Sequence, residues 1–201
     1  MALLSLFESN YEKTLMWVLI GVFLDSFDGL VARAFRATTE IGKQLDSLCD
    51  VISFGVVPGY FMYKYLSDFL SYELVPLSLL AFVVTLASIF RLARFNITPS
   101  SQLDFQGLPT PAFALFVIGI PFIPYEINPI IITVIVALLT VLMVSKIMLP
   151  SQKFVNGKPS NFFWIFAVVA IPVLLIFRSQ ALSLTVLTYA FFGMLCMRLR
   201  A

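Results

Sequence analysis

The sequence predicts an all-α fold, a polytopic transmembrane helical bundle with about seven visible spans forming a single domain over residues 1–201. Three observations carry that expectation. Hydrophobic residues make up 60% of the chain, against roughly 45–50% in soluble domains. Mean hydropathy is +0.98. The apolar residues also gather into runs near the ~20 residues that a helix needs to cross a bilayer.

Seven such runs can be read, at about 14–34, 44–66, 74–95, 109–125, 129–149, 161–177 and 180–197. Polar or proline-containing breaks separate them: Ser67-Asp68, Asn96 to Gln106, Pro124 to Pro129, Pro150 to Ser160, and Arg178-Ser179-Gln180. The opening run, residues 1–7, is apolar but too short to span, and reads as the tail of a helix whose beginning is missing.

Lysine and arginine set the sidedness. With the loop after the first span facing the cytoplasm, that side receives Arg33, Arg36, Lys43, Arg91, Arg94, Lys146, Lys153, Lys158, Arg198 and Arg200. The other side keeps Lys13, Lys64 and Arg178, with Tyr63, Tyr65, Tyr72 and Tyr125 placed for an interfacial belt. The expectation is a multi-pass protein of the cell (inner) membrane with residue 1 outside.

The net charge of +2 is too small to suggest nucleic acid as a partner. The chain has no histidine, which excludes a phosphohistidine intermediate, a histidine base and a histidine-bound metal. Its two cysteines, Cys49 and Cys196, fall in apolar runs, are expected to be small buried hydrophobes, and imply no disulfide framework.

The acids divide sharply. Glu8, Glu12, Glu40, Asp68, Glu73, Asp104 and Glu126 fall in loops or at helix ends, but Asp25, Asp28, Asp46 and Asp50 fall in or at the edge of apolar helices. An ionised Asp at the bilayer centre costs roughly 2.5–3.5 kcal/mol even on the lenient insertion scale. Residues three or four apart share a helix face, so Asp25 pairs with Asp28 and Asp46 with Asp50. A short connection makes the two helices antiparallel neighbours, and the pairs then meet at similar depth. Four ionised carboxylates at close range repel, and one or two divalent cations remove that penalty. All-oxygen ligation selects Mg²⁺ or Mn²⁺ over zinc. Two metals about 3.5–4 Å apart suit phosphoryl chemistry.

Small residues accompany the acids. Gly29 and Ala32 flank the first pair and Gly42 precedes the second, allowing close approach of a ligand or another helix. Arg33 shares roughly the side of Asp28 and carries a charge suited to pyrophosphate. Gly55 and Gly59 have the spacing of a helix-packing motif, with Pro58 between them as a source of kinking.

These residues resemble a known signature. Asp25-Ser-Phe-Asp28-Gly29-Leu-Val-Ala32-Arg33, eight residues, then Gly42-Lys-Gln-Leu-Asp46-Ser-Leu-Cys-Asp50 fills every fixed position of the CDP-alcohol phosphotransferase pattern. Within that family the chain is most similar to the membrane-embedded phosphatidylserine synthases. The similarity is carried by residues 45–59, by Arg91-Leu-Ala-Arg-Phe-Asn96 and by Phe105-Gln-Gly-Leu-Pro-Thr-Pro-Ala112.

The resemblance implies transfer of a phosphatidyl group from CDP-diacylglycerol to L-serine, with two divalent cations held by Asp25, Asp28, Asp46 and Asp50. It makes Asp50 the base, places Gly29, Arg33, Thr39 and Gly42 at the CDP moiety, and implies a homodimer. Serine needs a cation for its carboxylate, for which Arg91 and Arg94 are candidates with Asn96 beside them; positive-inside anchoring explains both arginines equally well. The resemblance also implies a further helix before the Asp-bearing one, and the expectation is that this first helix is missing from the sequence.

Other acceptors, such as glycerol phosphate or inositol phosphate, and an ether-linked lipid donor fit the shared motif as well. A cation transporter would spread its acids through the membrane depth. Here they crowd one cytoplasmic end beside Arg and Gly residues suited to phosphate.

Overall fold

The computed structural model describes residues 1–34, 39–70, 72–97, 105–125, 127–149, 154–155, 158–159, 183 and 185–188. Within them the chain forms α1 (Ala2–Phe7), α2 (Tyr11–Ala34), α3 (Glu40–Asp50), a π-helical turn (Val51–Val56) and α4 (Val57–Phe69). A 3₁₀ segment (Tyr72–Phe82) leads into α5 (Val83–Ile97), followed by α6 (Thr110–Gly119) and α7 (Pro129–Val144). Extended structure is confined to two-residue antiparallel pairs. β1 (Phe105–Gln106) pairs with β2 (Met148–Leu149), and β3 (Phe154–Val155) with β4 (Lys158–Pro159). The architecture is helical.

Local chemistry sets the helix ends. Thr39 starts α3 in an extended conformation, its hydroxyl accepting from the Gly42 N–H at 3.0 Å. Asn128 caps α7 by accepting from the Ile130 N–H at 2.9 Å, with Pro129 in the first helical position, where its missing N–H costs nothing.

From Glu40 to Phe69 the helix is continuous over 30 residues, but its middle is widened into the π turn. Pro58 has no N–H to offer the carbonyl four residues earlier, and widening the preceding turn accommodates that gap.

The hydrophobic centre is α6, apolar on every side, with Phe113, Ala114, Phe116, Val117 and Ile118 all buried. It packs against α2, α4, the π turn and α7. The outer helices carry apolar side chains on their outward faces. On α5 the small or polar Ser88, Ala87 and Thr85 face inward or partly inward, whereas Val83, Leu86 and Phe90 are exposed. On α7, Ile130, Ile131, Val134, Leu138 and Val141 are exposed. Apolar groups facing out on both helices, and the small Ala87 and Ser88 facing in on α5, suit a lipid solvent, where close packing and hydrogen bonds hold helices together.

Gly55 and Gly59 provide such packing. A Cβ on Gly55 would lie 3.0 Å from the Ser88 Cβ, and one on Gly59 would meet the Thr85 hydroxyl. Thr85 Oγ1 donates to the Gly55 carbonyl at 3.0 Å across this crossing.

Among the described residues, two helices, Glu40–Phe69 and Leu77–Ile97, are long and apolar enough to cross a membrane. The predicted span 14–34 lies within α2, which has 24 residues. The spans predicted at 109–125 and 129–149 are shorter than expected, as the helices Thr110–Phe122 and Pro129–Val144. α7 stops at Val144 because Ser145 turns extended ahead of Lys146, and the chain then enters β2, which pairs with β1. The spans at 161–177 and 180–197 lie outside the described residues apart from 183 and 185–188. Cys49 is exposed rather than buried, because most of α3 is open to its surroundings.

Gly59→Val should force α4 and α5 apart, an overpacking cost of about 1–3 kcal/mol read as a lower melting temperature in detergent. Gly21→Ala is the control, since its Cβ would find only the Phe54 ring at 3.8 Å.

Candidate active site

Asp25 stands in the C-terminal half of α2, while Asp46 and Asp50 stand one turn apart on α3. The Asp50 carboxyl makes a hydrogen-bonding contact with Asp25 and lies within electrostatic reach of Asp46 and Arg91. Asp25 and Asp50 are partly buried and Asp46 is exposed, so the cluster opens toward one end of the bundle. The backbones of Asp28, Gly29 and Arg33 continue along α2, but their side chains lie outside the described ones. Among the described residues, no three acidic or thiol side chains close into a metal-ligand shell by themselves.

Two carboxyls in contact must share a proton or a cation, since both cannot stay ionised against each other. Their donors are all oxygen, the set preferred by Mg²⁺ and Mn²⁺. The residues present therefore fit a divalent cation.

Three polar residues near the end of α5 take distinct positions. Arg91 is only 6% exposed; its Nη1 donates to Thr110 Oγ1 at 3.0 Å, and its charge lies within electrostatic reach of Asp50. Arg94 turns the other way: Nη1 donates to the Val144 carbonyl at 2.8 Å and Nη2 to the Ser145 carbonyl at 2.9 Å. It thus caps the C-terminus of α7, where orphan carbonyls and the helix dipole favour a cation. Asn96 reaches α3, its Nδ2 donating to Ser47 Oγ at 2.9 Å, while Lys43 Nζ donates to its backbone carbonyl at 2.7 Å. Of the residues considered for a serine carboxylate, Arg91 adjoins the aspartates, Arg94 closes α7 and Asn96 steadies the helix that carries Asp46 and Asp50.

Thr39 and Gly42 lie together at the start of α3. The Thr39 hydroxyl would stand 3.0 Å from a Cβ on Gly42, so the glycine keeps room for the cap. Both residues are exposed.

Sequence reasoning missed Thr110 and Ser47. Thr110 is wholly buried at the first position of α6. Gly107 places it: the glycine has φ +71°, and a Cβ there would collide with the Met143 carbonyl. Its N–H donates to the Ile147 carbonyl at 2.9 Å, tying the approach to α6 onto the end of α7. The available signal was a hydroxyl residue between two prolines, Pro109 and Pro111, after a glycine.

The sequence model of the CDP-alcohol phosphatidyltransferase family matches residues 1–149, which include the aspartate-bearing helices and the end of α5. The chain belongs to that family. Over 153 residues it is 33% identical to a CDP-diacylglycerol–serine O-phosphatidyltransferase of Bacillus subtilis, covering 76% of this chain and 83% of that protein. A Methanocaldococcus jannaschii protein of the same name is 35% identical over 180 residues, covering 89% and 81% respectively. An archaetidylserine synthase of Methanothermobacter thermautotrophicus is 36% identical over 110 residues, 54% of this chain and 46% of that one. For a member of this family, the clustered carboxylates and the facing arginine are candidates for the reaction centre.

Arg94→Gln should uncap α7 and lower the melting temperature. Hydrogen bonds to a charged group are worth about 1.5–3 kcal/mol, which sets the scale of the loss.

Proposed function

We propose that the chain transfers the phosphatidyl group of CDP-diacylglycerol to the hydroxyl of L-serine, giving phosphatidylserine and CMP. The observation that carries this reading is the meeting of Asp25, Asp46 and Asp50 beside buried Arg91. Family membership supplies the reaction class, and the names of the relatives supply the acceptor.

Asp25, Asp28, Asp46 and Asp50 would hold two divalent cations, Mg²⁺ or Mn²⁺. When bound, these neutralise charge on the pyrophosphate and on the departing CMP. The protein supplies the rest. Asp50 accepts the proton of the serine hydroxyl as its oxygen bonds to the phosphorus carrying diacylglycerol. The bond from that phosphorus to the CMP oxygen breaks, and CMP leaves with the electron pair. With no histidine to act as a covalent carrier, a single in-line displacement fits the residues present. Gly29, Arg33, Thr39 and Gly42 line the approach of the CDP moiety.

Arg91 receives the serine carboxylate. The hydroxyl and carboxylate of serine are only a few bonds apart, so the residues engaging them must act in one region, and Asp50 and Arg91 lie within electrostatic reach of each other. The family resemblance supports a homodimer. The apolar outer faces and the charge split support a multi-pass protein of the inner membrane, one unit over residues 1–201, with the site at the cytoplasmic side.

The test is CMP release by the purified chain with CDP-diacylglycerol and Mn²⁺ or Mg²⁺, adding candidate alcohols one at a time. Release that depends on serine supports the reading; release that depends only on glycerol phosphate or inositol phosphate overturns the acceptor. Asp28→Asn and Asp50→Asn should each abolish release while leaving a monodisperse protein, and turnover near the wild-type rate in either defeats the assignment. Chelation with EDTA should stop turnover and Mn²⁺ should restore it.

A further inference from the structure

Arg91 has a long side chain with many rotamers, yet a residue that engages a small acceptor must present its charge in one place. The structure contains a device for this that lies outside the aspartate motif. Thr110 is fully buried, and its Oγ1 accepts from Arg91 Nη1 at 3.0 Å. Its own position is closely determined. Pro109 and Pro111 restrict the backbone on either side, Gly107 enters the segment at φ +71° against the end of α7, and Leu108 beside it is completely buried. The hydroxyl is thus fixed by the backbone of α6 and by packing on α7, whereas the guanidinium it holds belongs to α5.

We propose that Thr110 is a positioning residue for the acceptor: its buried hydroxyl holds the Arg91 guanidinium beside Asp50, where it meets the carboxylate of the incoming alcohol. The inference rests on the assignment of Arg91 to serine. It gives the Gly107–Pro111 segment a task, the selection of an acceptor that carries a negative charge next to its hydroxyl. Thr110 acts only through Arg91 and touches no reacting atom.

The test uses the full chain in detergent, with CMP release measured against serine at saturating CDP-diacylglycerol and against CDP-diacylglycerol at saturating serine. Thr110→Val keeps the shape and removes the acceptor; Thr110→Ser keeps the hydroxyl. Losing a hydrogen bond to a charged group should raise the KM for serine about tenfold or more in Thr110→Val, with the KM for CDP-diacylglycerol changed less than about twofold. Thr110→Ser should return the serine KM to within about threefold of wild type. In an Arg91→Lys background, adding Thr110→Val should cost less than about twofold further, because residues that act as one unit are not additive. A purely structural role would raise both KM values or neither, and would add fully to Arg91→Lys. If the valine variant is not recovered folded, Thr110→Ala serves in the same comparisons.

A serine-dependent wild type with an unmoved Thr110→Val variant overturns this inference alone, as does full additivity. A wild type whose CMP release ignores serine overturns the functional reading and this inference with it.

Discussion

Two carboxyl groups, Asp25 on α2 and Asp50 on α3, come within hydrogen-bonding reach in a helical bundle, and the polar groups gathered near them make that approach tolerable. Carboxylates do not approach each other in a medium of low dielectric without compensation. Compensation here begins with Arg91, whose charge is buried nearby rather than released to solvent. A buried guanidinium itself demands hydrogen-bond partners, and Thr110 supplies one. Burying one charged group thus calls for another, and the chain of dependencies runs from α2 through α3 and α5 to α6.

The C-terminal end of α5 is the hub of this arrangement. Within six positions, Arg91 reaches toward the aspartates and α6, Arg94 toward the end of α7, and Asn96 toward α3. Each interaction joins residues at least 19 apart in sequence, so the hub is made wholly of tertiary contacts. Such interactions suit a membrane protein, in which apolar burial discriminates poorly between correct and incorrect helix packing, and polar contacts with defined directions take over. The small inward-facing residues of α5, Ala87 and Ser88, have the same origin.

Some of this was legible in the sequence. Acids in apolar runs stand out because their cost is large, and the four-residue spacing of Asp46 and Asp50 puts them one turn apart on α3. The close approach at Gly55 and Gly59 follows from the absence of side chains. Other features were hidden. Hydropathy reports how apolar a segment is but not where its helix ends, so 109–125 and 129–149 appeared longer than Thr110–Phe122 and Pro129–Val144. The 3₁₀ form of Tyr72–Phe82 leaves no mark in composition. Arg94 looked like a membrane anchor or a ligand because its partners, two main-chain carbonyls some 50 positions away, have no signature of their own. Thr110 escaped notice because a hydroxyl at the start of an apolar helix is ordinary until the residue facing it is known.

The π turn at Val51–Val56, which follows Asp50 and precedes Gly59, has a consequence for how this chain can vary. It lets the aspartate-bearing part of the helix and the glycine-bearing part follow different angular registers. Shortening the stretch by one residue would favour a regular helix and swing the acids away from α2 while the glycines stayed seated on α5. Many side chains can occupy a widened turn, but a change in its residue count would rotate one half of the helix against the other. Over 51–56, the packing depends on length more strictly than on identity.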